Sequence, residues 1–151
     1  MKFTPRKVNA FLFFKLPAAF FTGVRLQSIT NNSAVVKVTH KWVNQNPFKS
    51  IFWAVQGMAS ELSTGILVMK EIDASGKKVS MLVTNMNATF TKKAKGKIRF
   101  ECNEGELIRE TIQKAVNTGE GQTVTVTSEG FNEEGVSVSK FEYEWSLKVK
   151  N

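Results

Sequence analysis

Glu61 is the residue whose type and place most invite chemistry. In the stretch NPFKSIFWAVQGMASEL, Asn46 to Leu62, a mostly apolar run begins after Asn46-Pro47 and carries this one carboxylate beside its stripe. A charge at the edge of an apolar surface costs free energy unless something pairs with it or uses it. Glu61 is therefore either half of an ion pair at a contact or a working acid or base. Few other residues compete. His40 is the one histidine and Cys102 the one cysteine, which is too few ligands for a zinc site. A nucleophilic Cys–His pair would need the two to meet, and no motif supports that. His40 alternates with valines and is expected to be packed and hydrogen-bonded. Asn46 precedes a proline, a pattern that starts a turn or caps a helix, with Ser50 as an equal candidate for the cap.

Composition bounds the rest. The 151 residues, 42% hydrophobic and 23% charged, suit one globular domain, residues 1–151. No apolar run reaches the length of a membrane span. The start, MKFTPRKVNAFLFFKLPAAFF, has basic residues ahead of an apolar stretch, as a signal peptide does. Lys15 and Pro17 interrupt it and no small-x-small cleavage site follows. Residues 1–22 thus read as an amphipathic helical segment of the mature protein, with Val8, Phe11 and Leu12 among its apolar positions. A lone cysteine fits a reducing compartment, and a cytoplasmic location is the default. The formal charge of +8 attracts nucleic acids, anionic membranes and phosphorylated ligands alike. Its densest cluster, Lys92, Lys93, Lys95 and Lys97 around Gly96, reads as a solvated turn between strands. No zinc-finger spacing, aromatic RNA-binding block or basic zipper accompanies it, so no nucleic-acid partner is expected. A phosphorylated ligand stays open.

The elements that must position Glu61 follow from periodicity. GVRLQSI is a short strand with Val24 and Leu26 on one side. AVVKVTHKWV alternates, with Val36, Val38, His40 and Trp42 on one face. Pro47 suits the first turn of a following helix. From about Ser50 to Lys70 the period turns helical: Ile51, Val55, Met58, Leu62, Ile66 and Met69 stack on one face, and Glu61 falls on its flank beside Ala54 and Gly57. Gly57 and Gly65 would each weaken a helix by roughly 1 kcal/mol relative to Ala, so close packing or ligand approach is a motive for them. KKVSMLVTNMNATF and KIRFEC read as strands. EGELIRETIQKAVNTG is a second helix stopped by Gly119, and two long strands close the chain. In the last, Phe141, Tyr143, Trp145, Leu147 and Val149 alternate with polar residues. One long helix amid long antiparallel strands makes an α+β domain in which that helix must cover the apolar face of the sheet.

This layout resembles the hotdog fold, an antiparallel β-sheet wrapped around one long central α-helix. The stretch from Asn46 to Leu62 is similar to the signature of phenylacetyl-CoA-type acyl-CoA thioesterases: an Asn, a His-Gly-Gly opening the helix, then an Asp or Glu along it. Laid on without gaps, Asn46 and Glu61 keep two of the polar positions, while Phe52, Trp53 and Ala54 replace His-Gly-Gly. The N-terminal Phe-rich segment and the missing His resemble a less characterised branch of the superfamily.

The resemblance implies an enzyme acting on acyl-CoA or another acyl thioester, with coenzyme A as part of the substrate and no separate cofactor. Backbone N–H groups of Trp53 or Ala54, at a helix N-terminus, would polarise the carbonyl. Glu61 would be base or nucleophile, and Asn46 would orient the loop or a water. Such sites form between subunits, so a homodimer or homotetramer is implied. The alternative is a module that binds an acyl chain through the helix face and the Phe-rich segment without cleaving it. Hotdog hydratases show Asp-x-Asn-Pro-x-His; here Asn44 and Lys49 stand at the acid–base positions, which argues against hydratase chemistry.

Overall fold

The computed structural model describes residues 2–151. Thr4 caps the first helix, α1 (Pro5–Lys15), by accepting a bond from the Lys7 N–H, and Pro5 occupies its first turn. A second short helix, α2 (Pro17–Phe21), begins at the proline that ends α1. Val8 and Leu12 of α1 are buried in the main core. Strands β1 (Arg25–Ile29) and β2 (Ala34–Thr39) form a hairpin closed by Thr30 to Ser33, where the Thr30 Oγ1 accepts from the Ser33 N–H at 3.0 Å. After a loop comes the long helix α3 (Trp53–Ser75), then β3 (Val79–Phe90), β4 (Lys97–Cys102), α4 (Gly105–Thr118), β5 (Gln122–Phe131) and β6 (Ser137–Val149). The strands make one six-stranded sheet in the order β1-β2-β4-β5-β6-β3. Every neighbouring pair is antiparallel. α3 packs against β1, β2, β4, β5 and β6, so the sheet encloses it: this is the hotdog fold.

Alternation along the strands builds the core. Ile98, Phe100 and Cys102 of β4 and Phe141, Tyr143, Trp145 and Leu147 of β6 all face α3 and are buried. On α4, Ile108, Ile112 and Ala115 turn inward, and Gly119 ends the helix with a left-handed φ of 72°.

The long helix departs from the expected one in two ways. It starts at Trp53, three residues after Ser50, and runs on to Ser75, where Gly76 caps it at φ 68°. Ile51 lies before it, in an isolated bridge to Gln45, and Pro47 sits in the preceding loop rather than in a first helical turn. The second departure concerns burial. From Ala59 to Val68 every residue except Glu61 is buried, polar ones included. A helix enclosed this way has no single apolar stripe. Its polar side chains are satisfied across the interface with the sheet. Ser63 Oγ donates to Ser128 Oγ at 2.7 Å, Trp145 Nε1 donates to Thr64 Oγ1 at 3.1 Å, and Ser139 Oγ donates to Gln56 Oε1 at 2.8 Å. Buried polar groups that are paired in this way fix the rotation of the helix against the strands.

β2 also stops earlier than its alternation suggests. Trp42 does not join Val36 and Val38 on the inner face; it lies in a 3-10 turn, Trp42–Asn44, and is 83% exposed. The cause is Asn44, whose buried amide donates to the carbonyls of Thr39 and Thr22 at 2.9 Å each. Its Oδ1 accepts from the Lys41 N–H at 2.9 Å. One side chain thereby turns the chain out of the sheet and ties the turn to the end of α2.

Candidate active site

The loop before α3 is organised by Asn46. Its Oδ1 accepts from the N–H groups of Phe48 at 2.9 Å and Ser50 at 3.3 Å, and its Nδ2 donates to Ser50 Oγ at 2.9 Å. The Asn46 N–H in turn donates to the Ser50 carbonyl at 2.8 Å. These bonds hold Lys49 in a left-handed conformation, φ 59°. Asn46 therefore shapes the loop, and its amide is occupied by Ser50 rather than held out towards a water. Ser50, the other candidate cap, is spent on the same loop. The residue at the N-cap of α3 is Phe52, which has no side-chain bond to the helix.

An uncapped helix leaves its first N–H groups without partners. Among the described residues, the N–H groups of Trp53 and Ala54 make no hydrogen bond, whereas those of Val55 and Gln56 reach the Phe52 carbonyl at 2.9 and 3.3 Å. Two donors with the positive end of a 23-residue helix behind them suit a carbonyl oxygen that gathers negative charge. A cleft of about 480 Å³ opens beside them, lined by Asn46, Trp53, Gln56, Phe90, Lys92 and Lys93 among others.

Glu61 lies two turns further along α3. Steps of roughly 100° per residue put it on the same flank as Ala54 and Gly57. It is half-buried, and among the described residues its carboxylate has no hydrogen bond or ion pair. Burial pushes its pKa above the ordinary carboxylate value. Its neighbour is Tyr143, a residue that strand alternation marked only as core. The Tyr143 hydroxyl is bonded to Ser60 Oγ at 2.7 Å and donates to the Gly57 carbonyl at 3.0 Å. Desolvation, opposed by the Ser60 bond and helped by the Glu61 charge, raises the tyrosine pKa to about 12, so it stays a neutral phenol.

The two helix glycines have different motives. A Cβ on Gly65 would lie 3.2 Å from the Trp145 ring, so this glycine lets helix and sheet approach closely. A Cβ on Gly57 would meet nothing within 4 Å. The chain itself leaves the space beside Glu61 open. For Gly57→Ala, helix propensity alone favours the folded state by about 1 kcal/mol. The variant is thus expected to melt at higher temperature than wild type while losing any activity that needs that space. Paired melting and turnover measurements on one preparation check both signs, and a drop in melting temperature would show that another group already fills the gap.

Next to this flank lies an apolar edge. Met86 pairs with Tyr143 and Phe90 with Ser139 across the β3–β6 ladder, and opposed residues share a face. Met86 and Phe90 therefore point to the helix side of the sheet, yet they remain 40% and 46% exposed. Among the described residues, β3 has no strand on its other edge.

Other candidates separate. Cys102 pairs with Ala34 at one end of the β2–β4 ladder, while His40 follows its other end, ~20 Å away at ~3.3 Å per residue. They form no dyad. The thiol is buried and pushed up to about 11 by desolvation, far from a reactive thiolate. His40 is packed as expected, but among the described residues its buried Nε2 has no hydrogen-bond partner. Periodicity also gave no sign of the ion pair between Glu71 and Arg109, 3.3 Å apart, which locks α3 to α4. No group of three or more His, Cys, Asp or Glu among the described residues could hold a metal ion.

Comparison with known proteins places the chain. No curated protein matches its sequence. Solved structures do match its fold. A Pseudomonas aeruginosa protein of unknown function, described as a probable thioesterase, superposes with a TM-score of 0.81 over 97% of each chain at 21% identity. A Chlorobaculum tepidum protein of unknown function reaches 0.82 over 98% of each chain at 18% identity. A thioesterase from Haemophilus influenzae gives 0.73 over 99% of this chain and 93% of its own, at 12% identity. These likenesses agree with the strand order and the enclosed helix. At the level of sequence, a family model matches residues 5–147, and the chain therefore belongs to the family described as a domain of unknown function, DUF4442.

Proposed function

We propose that the protein hydrolyses an acyl thioester, with acyl-CoA as the substrate class, at a site shared by two subunits. The observation that supports it is the pairing of two unbonded N–H groups at Trp53 and Ala54 with an unpaired, half-buried Glu61 on the same helix flank. The donors hold the thioester carbonyl; Glu61, its pKa raised by burial, activates water or attacks the carbonyl carbon. Asn46 positions the loop that delivers the donors. About 12 Å of helix axis separates Trp53 from Glu61, at ~1.5 Å per residue, and a glutamate side chain bridges only part of it. Donors from one subunit and the carboxylate of a second resolve that distance if the bare edge of β3 pairs with its copy, as a homodimer or within a homotetramer. Lys92 and Lys93, at the mouth of the cleft, suit the phosphates of coenzyme A. The solved thioesterase from Haemophilus influenzae supports the reading by fold alone.

No helix among the described residues is long and apolar enough to cross a membrane. A cytoplasmic site of action, where acyl-CoA is found, completes the proposal.

The bulky Trp53 in place of a glycine favours a second reading, a module that binds an acyl chain without cleaving it. A panel of acyl-CoAs of increasing chain length, read by free-thiol release and by binding, separates the two. Turnover that peaks at one chain length is the expected result. Binding without thiol release across the whole panel would replace hydrolysis by the binding reading.

A further inference from the structure

The charge of the chain is concentrated at one end. Residues 1–60 carry eight Lys and Arg side chains and no Asp or Glu, while residues 61–151 hold 13 of each sign, so the formal +8 resides wholly in the first 60. The same residues hold most of the large apolar side chains left exposed among the described residues, including Phe13, Phe14, Leu16, Phe21 and Trp42. In space Phe13, Phe14, Phe20 and Phe21 make one cluster, and the turn that carries Trp42 adjoins the helix that bears Phe20 and Phe21. The Phe13 ring lies 4.9 Å from Phe14, 5.1 Å from Phe20 and 5.9 Å from Phe21. The bond from Asn44 to the Thr22 carbonyl seats the Trp42 turn against the end of α2. Cations border the rings: Lys15 follows Phe14, the Arg25 guanidinium sits 3.6 Å from the centre of the Phe20 ring, and Lys41 lies over Gly23 beside the Trp42 turn.

We propose that this face docks on an anionic lipid bilayer, with Phe14, Phe21 and Trp42 seated at the headgroup boundary and Lys15, Arg25 and Lys41 on the lipid phosphates. A contiguous apolar patch of this kind needs a cover. Aromatic rings settle at the membrane interface, and flanking Lys and Arg are drawn to acidic headgroups. A second copy of the chain suits the patch poorly, because a self-complementary contact would bring together two surfaces built from residues whose only charges are positive. A nucleic acid suits it less, because the phenyl rings pack edge to face on one another instead of standing free as platforms for bases. The proposal does not depend on hydrolysis.

Flotation of the full chain with phosphatidylcholine vesicles, with and without about a third phosphatidylglycerol, tests it. Binding is expected to the anionic vesicles only and to weaken steeply with salt. Phe14 and Trp42 are 75% and 83% exposed, so Phe14→Glu and Trp42→Glu leave the fold intact. Each is expected to weaken binding about tenfold or more. Lys15→Glu with Lys41→Glu should do the same. Brominated lipid should quench the fluorescence of Trp42 and leave that of Trp145, buried in the core. Absence of binding to anionic vesicles at low salt would overturn the proposal. So would wild-type binding by both aromatic variants, a fall in the oligomeric mass of those variants without vesicles, or retention on nucleic acid with none on lipid.

Discussion

Glu61→Gln is expected to lower thioester turnover by about 10²–10⁴, the usual cost of losing a general base, while making the protein more stable at neutral pH. The two signs have one origin. Burial raises the folded-state pKa of Glu61 above its unfolded value, so the folded protein disfavours the charged form. Its contribution to stability is fully present below the unfolded pKa and is lost as pH rises through the folded one. The amide carries no charge, so the stabilisation by Glu61→Gln should grow on going from acid to neutral pH. Wild-type turnover should rise over the window set by that raised pKa, as the base ionises, and the variant should lack that limb. Melting curves and pH–rate profiles on the same samples check this. As a positioning residue, Asn46→Ala should lose less. His40→Ala and Cys102→Ala should keep wild-type turnover per folded molecule, since neither side chain approaches the site. Should Glu61→Gln stabilise the protein and leave hydrolysis untouched, the carboxylate is a structural liability and not the base; should it leave hydrolysis untouched and weaken assembly, its role is to meet a cation across a subunit contact.

Loss of activity together with loss of assembly is expected from Met86→Lys combined with Phe90→Lys. Wild type should scatter light as at least twice the 16.9 kDa of one chain. β3 is 12 residues long, one edge of it is bare, and its half-exposed Met86 and Phe90 continue the apolar surface beside Gly57 and the cleft. A long bare edge of this kind invites pairing, and two lysines on it oppose the approach of a second copy. Both residues are half-exposed in the single chain, and a lysine stem can lie along the apolar surface with its ammonium in water, so the substituted protomer should fold. The expected product is a folded monomer with turnover reduced as far as by Glu61→Gln, because donors and carboxylate would no longer meet. A monomeric wild type at micromolar concentration, or a monomeric variant with full turnover, would refute the shared site.

How much of this was legible beforehand differs by element. Alternation in β6 showed which of its faces is buried, because a strand's side chains point alternately up and down whatever lies beyond it. The flank position of Glu61, beside Ala54 and Gly57, followed from helical spacing, which is equally local. Gly119 marked the end of α4 for the same reason: a left-handed cap is a property of one residue. The start of α3 was misplaced because Asn46 and Ser50 bond to each other, a choice among several local partners that their types leave open. The stripe on α3 was incomplete because burial on every side depends on how far the sheet curls round it. Ser60, Ser63 and Thr64 lie outside that stripe, and they are buried and bonded only because Tyr143, Ser128 and Trp145 arrive from strands more than 60 residues away. By itself the sequence determined the order of elements, the faces of the strands and the one carboxylate beside the helix. Only the tertiary structure decided that the carboxylate is unpaired, that the N–H groups of Trp53 and Ala54 are free and that Gly57 faces empty space. Each of these depends on what distant segments leave uncovered, which no local period encodes.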